Sequence, residues 1–172
     1  APRSATFRMA EFSRNTKDEP SSRSVRAFAP ATVGNVICGF DVFGLAMETP
    51  GDEVEVRHGS DPGVVITAIH GDEGRIPTES DHNVASVAAR AVLMESGMGN
   101  IGLEIEIWKG LPLSGGMGGS AASSVAAAVA TDTLLETGLT KEALLQCALN
   151  GEKRATGSAH PDNVAPALHG GL

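Results

Sequence analysis

A chain of 172 residues is long enough to bury a hydrophobic core without disulfides or a structural metal. Its formal net charge of −8, single Trp and lack of Tyr exclude the basic, aromatic-lined surfaces that track phosphates and stack bases, so nucleic acid is not an expected partner. No run approaches the roughly 20 apolar residues of a membrane span, and Cys38 and Cys147, with neither a C-x-x-C spacing nor a His at ligand distance, read as thiols of a reducing, cytoplasmic compartment.

The first stretch, APRSATFRMAEFSRNTKDEPSSRS, mixes both charge signs and lacks the apolar segment of a signal peptide; residues 1–24 are expected to be a disordered leader or tag. From Val25 a single domain is expected to run to Leu172. VRAFAP is a short β-prone run that should end at Pro30. EVEVRH (Glu53 to His58) and GVVITAI (Gly63 to Ile69) read as two strands joined by the turn cluster GSDPG, an early hairpin. DHNVASVAARAVLMESG spaces Val84, Val87, Ala88, Ala91, Val92 and Met94 as the apolar face of a helix stopped at Gly97.

GLEIEIWKG sets Leu103, Ile105 and Ile107 against Glu104, Glu106 and Trp108, the alternation of a half-buried strand. After a glycine-rich stretch, SAASSVAAAVATDTLLET reads as a second helix ending at Gly138, and Thr140 caps a third over KEALLQCALNGEKRATG. Strands and helices in mixed order place the chain in an α/β or α+β class.

The stretch GLPLSGGMGGSAASS joins the alternating strand to the alanine-rich helix. A glycine turn before a helix lets a ligand approach the backbone, and leaves amide N–H groups free at the positive end of the helix dipole. That is chemistry for a phosphate, although such turns also serve as plain packing connectors. No Gly-Lys-Ser/Thr follows and no G-x-G-x-x-G opens the unit, so neither a P-loop nor a dinucleotide fold accounts for it. Ser120 offers a hydroxyl that could cap the helix or reach Mg²⁺.

Pro112 to Ala122, PLSGGMGGSAA, resembles the P-x-x-x-G-L-G-S-S-A-A phosphate loop of the GHMP kinases, with Met117 in place of Leu and Gly119 in place of the first Ser. FAPATVGNVICGFDVFGLAME (Phe28 to Glu48) and HPDNVAPALHGG (His160 to Gly171) are similar to the motifs of the homoserine kinase branch of that family. The resemblance implies an α+β, two-layer fold like that of a ribosomal protein, with a βαβ unit of left-handed crossover, as the N-terminal ATP-binding domain over residues 25–172. The family carries a second α+β domain that these residues do not supply.

The resemblance further implies ATP and Mg²⁺ as cofactors and L-homoserine as the acceptor. The nucleotide would meet Pro112, Gly115, Gly116, Met117, Gly118, Gly119, Ser120 and Ala121, with Asn83 toward the adenine and Lys109 beside the loop. Ser120 and Glu152 would hold the metal. Asn35, Asp41, His160, Asp162 and Asn163 would bind the amino acid, and Asn163 and Glu152 would act in catalysis. An amino-acid substrate needs a carboxylate for its ammonium, which suits Asp41, although Asn35 and Asp41 also suit an Asx turn. Read without the resemblance, Glu152 is a surface charge beside Lys153 and Arg154, and Lys109 and Asn83 are solvent-facing or capping. A kinase acting on mevalonate or a sugar, and an ATP-binding module without turnover, remain alternatives; a homodimer is left open.

Overall fold

The computed structural model describes residues 23–35 and 42–172. The elements run β1 (Ser24–Val33), β2 (Leu45–His58), β3 (Gly63–His70), α1 (Val84–Glu95), β4 (Gly102–Trp108), α2 (Gly119–Leu135), α3 (Lys141–Thr156) and α4 (Pro161–His169). The four strands form one sheet in the order β1-β2-β4-β3. One face is apolar, with Ala27, Ala29, Val54, Val56, Val64, Ile66, Leu103, Ile105 and Ile107 buried beneath the helices. The other face is polar: Arg26 pairs with Glu53 and Glu55 and lies 3.7 Å from the Trp108 ring centre, and Arg57 pairs with Glu104. This is the expected α+β class in two layers. Of the expected leader, residues 1–22 lie outside the described residues, and Ser24 already begins β1.

The expected hairpin does not form. β2 and β3 are not neighbours; β4 lies between them, antiparallel to β2 and parallel to β3. The GSDPG turn bonds instead to the start of β4, with Gly59 N donating to the Gly102 carbonyl at 2.8 Å and Gly63 N to the Ile101 carbonyl at 3.3 Å. β4 is the strand best suited to the middle, because its inward residues can pack against both neighbours. β3, α1 and β4 thereby make the βαβ unit.

Two further expectations are corrected. β1 does not stop at Pro30; it continues to Val33 through a register shift between Pro30 and Thr32. Proline has no N–H for the ladder, and a bulge absorbs the missing bond without ending the strand. The buried face of α1 is Ala85, Ser86, Ala88, Ala89, Val92 and Leu93, and Met94 is exposed. The helix turns its alanines inward because it packs closely on α2 and α3, where small side chains allow a near approach.

α2 occupies the centre of the helical layer, in contact with β1, β2, α1, α3 and α4. It is accordingly buried on every side, including Ala121, Ala122, Val125, Ala126, Ala127, Ala128 and Ala130. A helix apolar all round belongs in a core rather than at a surface. Its hydroxyls find partners: Ser124 Oγ donates to the Ala148 carbonyl of α3 at 2.7 Å.

Ile105 has Val56 and Ile66 as its register partners on either side of the inward face. Ile105→Ala should cost about 2–5 kcal/mol in urea unfolding, and a loss below about 1 kcal/mol would show that this face is not the core.

Candidate active site

The loop between β4 and α2 reaches the helix through Gly118, which adopts φ 67° as the residue before the first turn. Left-handed backbone favours glycine here, and space demands it: a Cβ on Gly118 would stand 2.1 Å from Thr32 Oγ1. Among the described residues no side chain caps the helix at this position, which leaves the first-turn N–H groups to an acceptor. The loop and the start of α2 border an open cleft of about 740 Å³.

Asp52 anchors the loop from below. This fully buried carboxylate at the β2 side accepts from Gly110 N at 3.1 Å and Leu111 N at 3.2 Å through Oδ1, and from Ser123 Oγ at 2.7 Å through Oδ2. Lys109 makes an ion pair with the same carboxylate. Its ammonium also donates to the Gly119 carbonyl at 2.9 Å and to Ser123 Oγ at 2.9 Å. Lys109 therefore lines the cleft, but its three donors are committed to holding the loop against the first turns of α2. The solvent-facing alternative for Lys109 is corrected by a side chain only 3% exposed.

Asn83 also borders the cleft and is spent on structure. As the cap of α1 its Oδ1 accepts from Ala85 N at 3.0 Å and Ser86 N at 3.4 Å, while Nδ2 donates to the Pro77 carbonyl at 2.9 Å. That bond ties the segment carrying Arg75, Ile76 and Pro77 along the cleft wall.

Ser120 and Glu152 meet across the helices. α3 passes so close to α2 that a Cβ on Gly151 would lie 2.3 Å from Ser124 Oγ, and Ser120 stands one turn before Ser124 on the same face of α2. Glu152, next to Gly151, thus hydrogen-bonds with Ser120. It is only 3% exposed, which corrects its reading as a surface charge. Burial pushes its carboxyl above the usual range; Asp162 adds to the rise, whereas the Ser120 hydrogen bond, His160 and Lys109 oppose it. A hydroxyl and a desolvated carboxylate are hard oxygen donors of the kind Mg²⁺ takes, in the small number it requires besides phosphate and water. Among the described residues, no group of three His, Cys, Asp or Glu side chains could hold a metal ion.

Another part of the wall comes from α4, a helix for which the sequence analysis holds no expectation and which carries Pro166 in its interior. Pro161 at its start is the signal that could have found it. His160 precedes the helix and shares a hydrogen bond of 2.8 Å with Ser158. Asn163 and His160 line the cleft with Asn35, which takes φ 57°. Asp162 does not; it is 4% exposed, with Oδ2 buried and without a hydrogen-bond partner among the described residues.

Of the remaining loop residues, Pro112, Gly115, Gly116, Gly119 and Ala121 border the cleft. Met117 instead packs against the core, and its carbonyl accepts from Thr32 N at 3.0 Å. Asp41 lies outside the described residues. Sequence reasoning missed Thr32, Asp52 and Ser123. Nothing local marks them: an Asp in a strand, a Ser in an alanine-rich helix and a Thr in a strand are all commonplace.

Asp52→Ala would leave the Lys109 ammonium buried without its counter-ion, at an expected cost of about 3–5 kcal/mol, whereas adding Lys109→Met should recover a large part of it. Urea unfolding of both single variants and the double variant checks this, and additive losses would show that the two groups are not coupled.

A family model described as the GHMP kinases N terminal domain matches residues 83–171. Homoserine kinase of Xylella fastidiosa strain 9a5c is 46% identical over 153 residues, which is 89% of this chain and 47% of that protein. Homoserine kinase of Chloroherpeton thalassium is 45% identical over 157 residues, or 86% of this chain and 49% of that protein. The crystal structure of homoserine kinase from Cytophaga hutchinsonii matches with a TM-score of 0.82 at 45% identity, over 92% of this chain and 49% of that one. Mevalonate kinase of Methanococcus jannaschii, at 15% identity and a TM-score of 0.68 over 87% of this chain and 52% of that one, has the same fold. The chain spans about half the length of the curated relatives it matches. With the family model running from the cap of α1 through α4, the chain belongs to the GHMP kinases, by their N-terminal domain.

Proposed function

We propose that residues 25–172 carry the nucleotide-binding and acceptor-binding groups of a homoserine kinase. The reaction moves the γ-phosphoryl group of ATP to the side-chain hydroxyl of L-homoserine and gives O-phospho-L-homoserine and ADP, on the route to threonine. The observation that carries this reading is a convergence: Ser120 in contact with Glu152, and Asn35, His160 and Asn163 on the same cleft, in a chain 46% identical over 89% of its length to a protein named homoserine kinase.

In this reading the triphosphate lies along the loop and accepts from the N–H groups at the start of α2. Ser120 and Glu152 would hold Mg²⁺, which when bound offsets charge on the phosphates. Asn35 and His160 orient the amino acid, and Asp41 supplies the carboxylate for its ammonium. Asn163 meets the acceptor oxygen. A bond forms between that oxygen and the γ-phosphorus as the bond to the bridging oxygen breaks, the electron pair leaving with ADP and the hydroxyl proton passing to a phosphoryl oxygen. Phosphoryl transfer through a loose transition state depends mainly on alignment and charge, so a cleft that holds both partners supplies most of what is needed.

A cytoplasmic setting belongs to the same proposal. It suits Cys147, a free buried thiol that burial pushes up to about 11 and so keeps unreactive. No helix among the described residues is long and apolar enough to cross a membrane.

ADP release with Mg-ATP should depend on L-homoserine and not on mevalonate or galactose, and Glu152→Gln should lower kcat by about 10²-fold or more while the fold persists. Turnover with mevalonate or galactose instead would overturn the choice of acceptor, and a Glu152→Gln variant as active as the parent would remove Glu152 from the reaction.

The raised Glu152 carboxyl has a stability consequence in metal-free protein. Between the ordinary and the raised value the folded state holds a proton that the unfolded chain has released, so stability declines as pH climbs through that window. Glu152→Gln should flatten the decline, its advantage over the parent growing with pH across melts from about pH 4 to 8. Parallel curves for the two proteins would contradict the burial argument.

A further inference from the structure

Thr32 has no part in the roles above, yet it touches both walls of the cleft. It is fully buried, just past the register shift in β1. Its backbone N–H donates to the Met117 carbonyl in the glycine loop at 3.0 Å. Its hydroxyl donates to Asn163 Oδ1 in the first turn of α4 at 2.8 Å, across 131 residues of sequence.

A carboxamide has an acceptor end and a donor end. With Oδ1 held by the Thr32 hydroxyl, Nδ2 is the free end of the amide, beside Gly34 just past β1, in a residue that lines the cleft. The two ends face different glycines: a Cβ on Gly118 would lie 3.0 Å from Oδ1, and a Cβ on Gly34 would lie 2.9 Å from Nδ2. Both glycines leave room for the amide to sit between loop and strand, and the hydroxyl sets which end points which way.

We propose that Thr32 is a positioning residue for phosphoryl transfer, its hydroxyl orienting the Asn163 amide so that Nδ2–H, and not Oδ1, meets the reacting oxygens. The proposal rests on the kinase reading above and deepens it. Asn163 then donates a hydrogen bond to charge that develops on the acceptor or phosphoryl oxygen, and does not take the hydroxyl proton. Because the Thr32 backbone also holds Met117, the same residue keeps that donor in register with the phosphate loop.

Thr32→Val removes the hydroxyl while retaining the shape and the backbone bond to Met117; Thr32→Ser restores a hydroxyl. Two readouts on the full chain test the proposal. In ¹⁵N spectra, the Asn163 side-chain amide pair, identified by its loss in Asn163→Asp, should shift in Thr32→Val and return toward its parent position in Thr32→Ser. In the coupled assay, kcat with homoserine should fall about 10²-fold in Thr32→Val with KM for Mg-ATP changed less than about 3-fold, and Thr32→Ser should recover most of the loss. An Asn163 pair unmoved in Thr32→Val, or an equal loss in Thr32→Ser, overturns the role of the hydroxyl. A parent that turns over mevalonate or galactose in place of homoserine defeats the acceptor reading, and the amide signals still decide whether Thr32 orients Asn163. Should Thr32→Val fail to fold, Thr32→Ala gives the same two readings.

Discussion

The site depends first on the buried carboxylate of Asp52. A carboxylate removed from water must have its lone pairs met by donors or its cost exceeds what the surrounding packing returns. Lys109, Ser123 and two successive backbone N–H groups meet them here, and they come from the end of β4, the start of the loop and the second turn of α2. Satisfying one charge therefore fixes where the strand ends and where the helix begins. It also settles an electrostatic conflict. A lysine ammonium bonded to a first-turn carbonyl sits near the positive end of a helix dipole, where a cation is unfavourable, and Asp52 offsets it. The loop above can then meet an anion with backbone dipoles while the ion pair beneath holds it in place.

The second constraint is closeness. α2 touches two strands and three helices, which only small side chains permit. The alanines that make the segment look featureless are the means by which α3 comes near enough for Gly151 to pack on Ser124. Glu152 is carried over Ser120 by that contact. The candidate metal ligands are thus a consequence of helix packing, and a larger residue at Gly151 would separate them without altering either one.

Legibility followed the range of the interactions. Alternation in GLEIEIW located β4, apolar spacing located α1, and the short polar Thr140 located the start of α3, because a cap bonds within its own first turn. Strand pairing was misread because GSDPG has turn chemistry whether or not its flanking strands are neighbours; what inserts β4 between them is the better burial of a strand with partners on both edges. α4 drew no expectation, and it carries Pro166 in its interior. A helix can hold an interior proline when the freed carbonyl is accommodated, and the backbone of Gly44 lies against that carbonyl, of Asp162, closely enough that a Cβ would overlap it. Of the site, the glycine loop and Ser120 were legible from residue chemistry, and Glu152 and Asn163 were reached through resemblance. Asp52, Ser123 and Thr32 were not, since each acts on a residue far along the chain and carries no local mark of it.

Two buried charges border this cleft, and they are treated differently. Lys109 is neutralised in place by Asp52, so its presence makes little demand on a ligand. Glu152 has the Ser120 hydroxyl and the influence of two cationic or protonatable neighbours, and burial still prevails over them. A carboxylate in that state gains more from a divalent cation than an exposed one would, because the cation removes a desolvation penalty as well as adding attraction. If Glu152 holds a metal as proposed, the same burial that raises its proton affinity would set proton and metal in competition at one carboxylate. In the proposed reading a nucleotide that arrives with its own cation would have an advantage over one that does not, and that preference would originate in the tight approach of α3 to α2, without any further residue devoted to it.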